Sequence, residues 1–259
     1  MSELETVKYE TRGSVAIITN YRPDAMNSYN TQSRADLLTA FQQAAEDDSV
    51  RAVVFTGEGR SFSAGADLKD FDSNKSVEEI LQTEYRPVLE LIASMPKPVI
   101  AAVPGSAAGI GFSFALASDL VLMADNAFFL SPFTTISLVP DGGLNFLLVH
   151  QLGYRRAFQL SVESERIPAE RAVELGLANK AVPADSLMDE AIAWAEKIAE
   201  RAPLSVAATK KAMRHAAGGD WASTFDLEAP MQRKLRESED CKEGVAAFFE
   251  KRKANFKGK

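Results

Sequence analysis

The feature that most constrains this chain is the alternation of short apolar runs with helical stretches through its first half. Residues 52–56, 98–103 and 120–124 are apolar nearly throughout, without the polar alternation of a half-exposed strand. Between them, residues 31–46 place Leu37, Leu38, Phe41, Ala44 and Ala45 at helical spacing. Residues 77–95 do the same with Ile80, Leu81, Val88, Leu89 and Ile92, up to the Pro96-Lys97-Pro98 stop. Residues 109–118 read as a third helix. Strands buried on both faces and joined through helices imply crossovers and largely parallel pairing. Residues 7–9 and 15–19 read as strands around the Arg12-Gly13 turn, 127–130 as one more, and 57–72 as a loop rich in Gly, Ser and Asp. The main body is expected to be α/β.

After residue 143 the character changes. Stretches 144–152, 156–162, 168–175, 187–201, 205–217, 221–233 and 242–251 all read as helices, with Pro168 and Pro203 at first-turn positions. Only Ala181-Val182 suggests a further strand. With 259 residues, 46% hydrophobic and 25% charged, the chain suits one large domain or a main domain with a helical appendage.

Composition also excludes function classes. A net charge of -7 argues against a nucleic-acid partner, because phosphate contacts demand a basic stripe. Cys241 is the single cysteine, so no intrachain disulfide forms, and with two histidines a zinc site is not expected. No Asp/Glu cluster has metal-ligand spacing. The start, MSELETVKYETRG, is acidic and lacks the apolar core of a signal peptide. The longest apolar run, 99–117, is broken by Pro104, Gly105, Gly109 and Gly111. A cytoplasmic protein without membrane contact is the expectation.

Two glycine-rich turns follow expected strands: SFSAGADLKDF (61–71) and PGSAAGIGFSFALASD (104–119). Neither ends in the Gly-Lys-Ser/Thr of a phosphate loop, and the second lacks dinucleotide spacing. Tight packing explains such glycines as well as function does. Two turns of this kind also suit an oxyanion hole, in which backbone N–H groups converge on one oxygen. A third feature is SLVPDGG (137–143), where Asp141 is either an ordinary turn residue or a desolvated base beside the apolar stretch FFLSPF.

At these turns the chain resembles the crotonase superfamily of enoyl-CoA hydratases and isomerases. FSAGADLKD is similar to its first signature and KPVIAAVPGSAAGIGFSFALASDLVLMADNAFF to its second; ERIPAERAVELGLANKAVP and EGVAAFFEKRKANFKG are similar to later family stretches. The resemblance implies a spiral of β-β-α turns over 1–200 and a helical C-terminal trimerisation region over 201–259, in a homotrimer or a dimer of trimers. It implies an acyl-CoA thioester substrate, with coenzyme A as part of that substrate and no separate cofactor. The oxyanion donors it implies are the N–H groups of Ala64 and Ile110, the latter a departure from the usual glycine. Coenzyme A contacts are implied at Arg22, Ala64, Asp67, Leu68 and Lys69, and from a neighbouring subunit at Phe248 and Lys251.

The two hydratase glutamates correspond here to Ser113 and Phe133, neither of which transfers protons. The acid of the family's isomerases corresponds to Asp141. An enoyl-CoA isomerase with one proton carrier is therefore expected, with hydratase activity or a catalytically inactive acyl-CoA-binding homologue as alternatives. Aryl-CoA dehalogenation also places an aspartate at the Asp141 position, but this chain has Phe133 where that chemistry has tryptophan, and no histidine before residue 150. His150, His215, Cys241, Trp194, Trp221 and Asp119 are read as structural or incidental.

Overall fold

A computed structural model describes residues 4–72 and 75–259; residues 1–3, which open the acidic N-terminal stretch, lie outside it. The chain begins with an antiparallel hairpin, β1 (Val7–Arg12) and β2 (Val15–Asn20), followed by helix α1 (Thr31–Glu46). Asn30 caps α1 by accepting from Ser33 N at 2.9 Å, and Leu37, Ala40, Phe41 and Ala44 turn its buried face inward. Then follow β3 (Ala52–Gly57), β4 (Ser61–Ser63), α2 (Val77–Ile80), a π-helical turn (Leu81–Tyr85), α3 (Arg86–Ser94), β5 (Val99–Val103), β6 (Ser106–Ala108) and α4 (Ile110–Ala117). The remaining elements are β7 (Leu120–Ala124), β8 (Phe128–Leu130), α5 (Leu144–Leu152), α6 (Tyr154–Glu163), β9 (Ile167–Pro168), α7 (Ala169–Glu174), β10 (Lys180–Val182), α8 (Leu187–Ala199), α9 (Pro203–Gly218), α10 (Trp221–Glu237) and α11 (Glu239–Glu250).

The strands form two sheets. The larger runs β1-β2-β3-β5-β7-β10, parallel from β2 onward; the smaller runs β4-β6-β8-β9, parallel except for its last pair. Each of the successive pairs β3–β4, β5–β6 and β7–β8 contributes one strand to each sheet before the chain moves on. This is the expected spiral of β-β-α turns with a helical C-terminal region. Helix α4 lies within it with all eight residues buried, which explains why its sequence is apolar on every side.

The structure departs from the sequence expectation in three places. The 57–72 stretch is not all loop, because Ser61–Ser63 pairs with Ser106–Ala108, and Ile167–Pro168 pairs with β8. These strands of two or three residues, rich in serine, leave no periodic signal. The single helix expected over 77–95 is broken by its π-helical turn, since one extra residue per turn does not disturb the apolar spacing enough to be read. Trp221 is 79% exposed on α10 of the single chain and stacks on Phe225. Asp119 has the structural role expected of it. It accepts from Val99 N and pairs with Lys210 and Arg214, tying α9 to the sheet.

Candidate active site

The two glycine turns meet. A Cβ placed on Gly65 (φ +98) would lie 2.9 Å from the Ala108 carbonyl and 3.5 Å from Gly109 Cα, so only glycine permits this approach. Beyond Gly65 the chain runs beside Tyr29: Tyr29 N donates to Gly65 O at 2.8 Å and Asp67 N to Tyr29 O at 3.0 Å. The groups of Ala66, one residue out of phase, therefore face the other way. Its N–H has no acceptor among the described residues. Ile110 is the first residue of α4, where a helix leaves its N–H groups unbonded, and its N–H also has no acceptor among the described residues.

This geometry corrects the sequence expectation at Ala64. The Ala64 N–H donates to Met26 O at 2.9 Å and is not free to bind a thioester oxygen. In an unbroken strand Ala64 and Ala66 would point the same way; the left-handed Gly65 between them turns their N–H groups apart. Residue spacing does not reveal that rotation.

Ala66 and Ile110 border a cavity of about 280 Å³ together with Asp141 and Phe133. Asp141 follows Pro140 in the turn entering α5, and its carboxyl is desolvated. Oδ1 is buried without a hydrogen-bond partner among the described residues, and burial pushes the pKa up from 3.8 to about 6. Ser113 Oγ donates to the Asp141 carbonyl oxygen at 2.9 Å, so residue 113 holds the turn that carries the acid. A Cβ on Gly142 would meet Ser113 Cβ at 2.9 Å and Ile110 Cγ1 at 3.0 Å, so this turn rests directly on the first turn of α4. The Ile110 side chain thus packs beneath Gly142. Phe133 offers a buried ring and no proton.

The implied coenzyme A contacts divide. Arg22 is an ion-pair partner of Asp67 (Nη2 to Oδ2, 2.9 Å) and also donates to Ser28 O. Burial pushes the Asp67 carboxyl up, but the Lys69 N–H and Arg22 outweigh it and hold the group below its ordinary value. Leu68 and Lys69 are exposed beside the donor turn, and Leu68 and Asp67 border the cavity. Phe248 and Lys251 lie on and just beyond α11, exposed and apart from this cavity in the single chain. Sequence reading missed Arg34 and Tyr85, both buried in the cavity wall, and the apolar Ile80, Leu81, Leu138 and Val139 around them. For Arg34, Ile80, Leu81 and Tyr85 the sequence offers only a place in a helical stretch, which marks core and cavity wall alike, and Leu138 and Val139 stand in the SLVPDGG loop without a signal of their own. Among the described residues no helix is long and apolar enough to cross a membrane, and no cluster of His, Cys, Asp and Glu forms a metal site.

Comparison with known proteins matches the chain along nearly its whole length. The family model for enoyl-CoA hydratase/isomerase matches residues 10–259. A probable enoyl-CoA hydratase of Rhodobacter capsulatus is 40% identical over 98% of both chains. The 1,2-epoxyphenylacetyl-CoA isomerase of Escherichia coli is 35% identical over 99% of this chain and 100% of its own. Among solved structures, an enoyl-CoA hydratase from Bacillus anthracis superposes with a TM-score of 0.93 at 31% identity, covering 98% of this chain and 100% of the other.

Proposed function

The chain belongs to the enoyl-CoA hydratase/isomerase family, and from that premise we propose that it shifts the double bond of an enoyl-CoA thioester, with Asp141 as its single proton carrier. The observation that carries this reading is the Asp141 carboxyl, desolvated at a cavity where the positions of the two hydratase acids hold Phe133 in the wall and Ser113 beneath the Asp141 turn.

In this mechanism a 3-enoyl-CoA binds with its thioester oxygen between the N–H groups of Ala66 and Ile110. The Asp141 carboxylate removes a proton from C2. The C–H electron pair moves into the chain, and the 3,4 double bond and the thioester carbonyl share it as a dienolate. Negative charge grows on the oxygen, so the two donors stabilise the transition state more than the neutral substrate. Each such donor is worth about 3 kcal/mol of barrier in comparable oxyanion sites. The protonated Asp141 then delivers the same proton to C4, and the conjugated 2-enoyl-CoA leaves with the carboxylate restored. A pKa near 6 suits both halves: the group is mostly ionised at neutral pH and still acidic enough to return the proton. Phe133, buried in the cavity wall, presents an apolar face that keeps water from the intermediate on its side. A ring-derived acyl group bearing the same unsaturation meets the same chemistry.

Hydration of a 2-enoyl-CoA is the second reading, favoured by relatives named as probable hydratases in Rhodobacter capsulatus, Bacillus subtilis and Rhizobium meliloti. It requires activation of water and delivery of a proton to C2. Ser113 is bonded to the Asp141 backbone and Phe133 has no proton, so Asp141 would have to serve both steps.

The two readings separate with 3-hexenoyl-CoA and 2-hexenoyl-CoA, each incubated with enzyme in deuterated water and followed by chromatography and mass spectrometry. Conversion of the first to its conjugated isomer, without hydrated product from either, is the expected result. Rapid hydration of the second overturns the isomerase assignment.

A further inference from the structure

Besides Asp141, the charged side chains Arg34, Asp67, Asp70 and Lys75 line the cavity without a part in the proposed reaction, and Arg34 is the most deeply buried of them. The Arg34 side chain, on α1, is only 4% exposed. Its guanidinium makes four hydrogen bonds: Nε to Glu84 Oε2 at 2.7 Å, Nη1 to Tyr29 O at 3.3 Å, and Nη2 to Asp70 Oδ2 and Thr31 Oγ1, both at 3.0 Å.

These partners lie on three segments, the entry to α1 with Tyr29 and Thr31, the turn with Asp70 and the π-helical turn with Glu84, and Asp70, Leu81 and Tyr85 of the last two border the reaction chamber. Tyr29 is the residue whose backbone brackets Ala66, bonding Gly65 on one side and Asp67 on the other. Asp70 sits in the short 3-10 turn just beyond that donor. Glu84 sits on the π-helical turn beside Tyr85, whose ring centroid lies 5.1 Å from the guanidinium carbon. A π-helical turn inside a helix is frequent at functional sites, and here it supplies Leu81 and Tyr85 to the cavity wall. Only a planar fork of five donors bonds so many directions at once; a lysine ammonium does not.

We propose that Arg34 is a positioning residue: it fixes the Ala66 donor turn against the π-helical wall of the acyl cavity. This rests on the proposed role of the Ala66 N–H as an oxyanion donor. Stability alone is a poor reason for such a group, because apolar side chains of similar volume often replace buried ion clusters without loss. Position is the better reason. The fork bonds the paired Tyr29 and Asp70 segments to the Leu81–Tyr85 turn, which among the described residues no strand pairing joins to them and which Tyr85 Oη links otherwise only by a longer bond to Tyr29 O at 3.4 Å and a ring contact.

The test compares Arg34→Gln and Arg34→Lys with wild type, and uses Asp119→Asn as a control that breaks half-buried ion pairs away from the cavity. Three quantities are read: kcat on 3-hexenoyl-CoA, Kd for the unreactive hexanoyl-CoA, and the carbonyl stretching frequency of bound hexanoyl-CoA by Raman difference spectroscopy. Arg34→Gln is expected to lower kcat about 10²-fold, the cost of a misplacement near 1 Å, with a smaller change in Kd. The carbonyl frequency moves toward that of free thioester, and Arg34→Lys recovers part of both effects. Asp119→Asn lowers the melting temperature and leaves the carbonyl frequency as in wild type.

An Arg34→Gln protein with wild-type carbonyl frequency and kcat overturns the proposal. So does one whose losses follow its melting temperature as those of Asp119→Asn do. If Arg34→Gln does not fold, Glu84→Gln and Asp70→Asn are measured in its place, under the same criteria. The Raman measurement needs no turnover. A wild type that polarises the carbonyl yet isomerises nothing therefore refutes the isomerase reading while still testing Arg34.

Discussion

Replacing Asp141 by asparagine tests the desolvated acid twice, through catalysis and through stability. Burial raises the carboxyl from 3.8 to about 6, a displacement of about 2 pH units. At 1.36 kcal/mol per unit, ionising Asp141 in the folded protein costs about 3 kcal/mol more than in the unfolded chain. The sign follows from the direction of the shift. The folded value lies above the unfolded one, so the stabilising contribution is fully present below pH ~4 and is lost as pH rises through about 6. Asparagine does not ionise. Wild type should therefore lose up to about 3 kcal/mol relative to Asp141→Asn between pH 4 and pH 7, in urea unfolding at fixed protein concentration. In turnover, kcat/KM of wild type should rise with unit slope below pH 6 and level off above it, because the free enzyme's base must be ionised. Asp141→Asn should lower kcat about 10²- to 10⁴-fold and leave hexanoyl-CoA binding intact. A stability difference that does not change with pH, together with a kcat/KM break near pH 4, would refute the desolvated-base reasoning.

Three further expectations follow from the same contacts. Ser113→Ala removes the hydrogen bond to the Asp141 carbonyl oxygen and should cost about 1 kcal/mol in urea unfolding, with kcat falling several-fold as the acid's turn loosens. Gly65→Ala forces a Cβ to within 2.9 Å of the Ala108 carbonyl at a positive φ, so the donor turns must separate; kcat should fall about 10²-fold, seen by steady-state assay of protein that remains folded by circular dichroism. We also propose that the exposed aromatic side chains Trp221, Phe225, Phe248 and Phe249 on the C-terminal helices meet neighbouring subunits in a homotrimer or a dimer of trimers. Light scattering after size exclusion should give three or six chains per particle, and paired substitution of Trp221 and Phe225 by serine should give monomer.

What could be read from the sequence differs by kind of feature. Strands β3, β5 and β7 and helices α1 and α5 were legible because each buries a regular set of apolar residues, and regular burial leaves a period in the sequence. The SLVPDGG turn brought Asp141 into view, resemblance to the family added Ile110 and the two non-acidic positions, and the structure gathers Ile110, Asp141 and Phe133 around one cavity with Ser113 beneath it. The short strands β4, β6 and β9 were not legible. Their pairing depends on where the larger sheet carries them and not on their own composition.

The sequence by itself determined the alternating α/β plan, the helical second half and the family signatures, because local propensity and the period of burial are written residue by residue. Tertiary structure alone decided which N–H groups are free, since a single left-handed glycine turns the Ala64 N–H toward Met26 and leaves that of Ala66 without an acceptor among the described residues. It alone also decided the acidity of Asp141, because desolvation depends on Phe133, Ile110 and the cavity walls, which come from distant parts of the chain. It brought Arg34 together with Tyr29, Asp70 and Glu84, up to 50 residues away. Periodicity records that a side chain is buried; only the folded chain records what it is buried against.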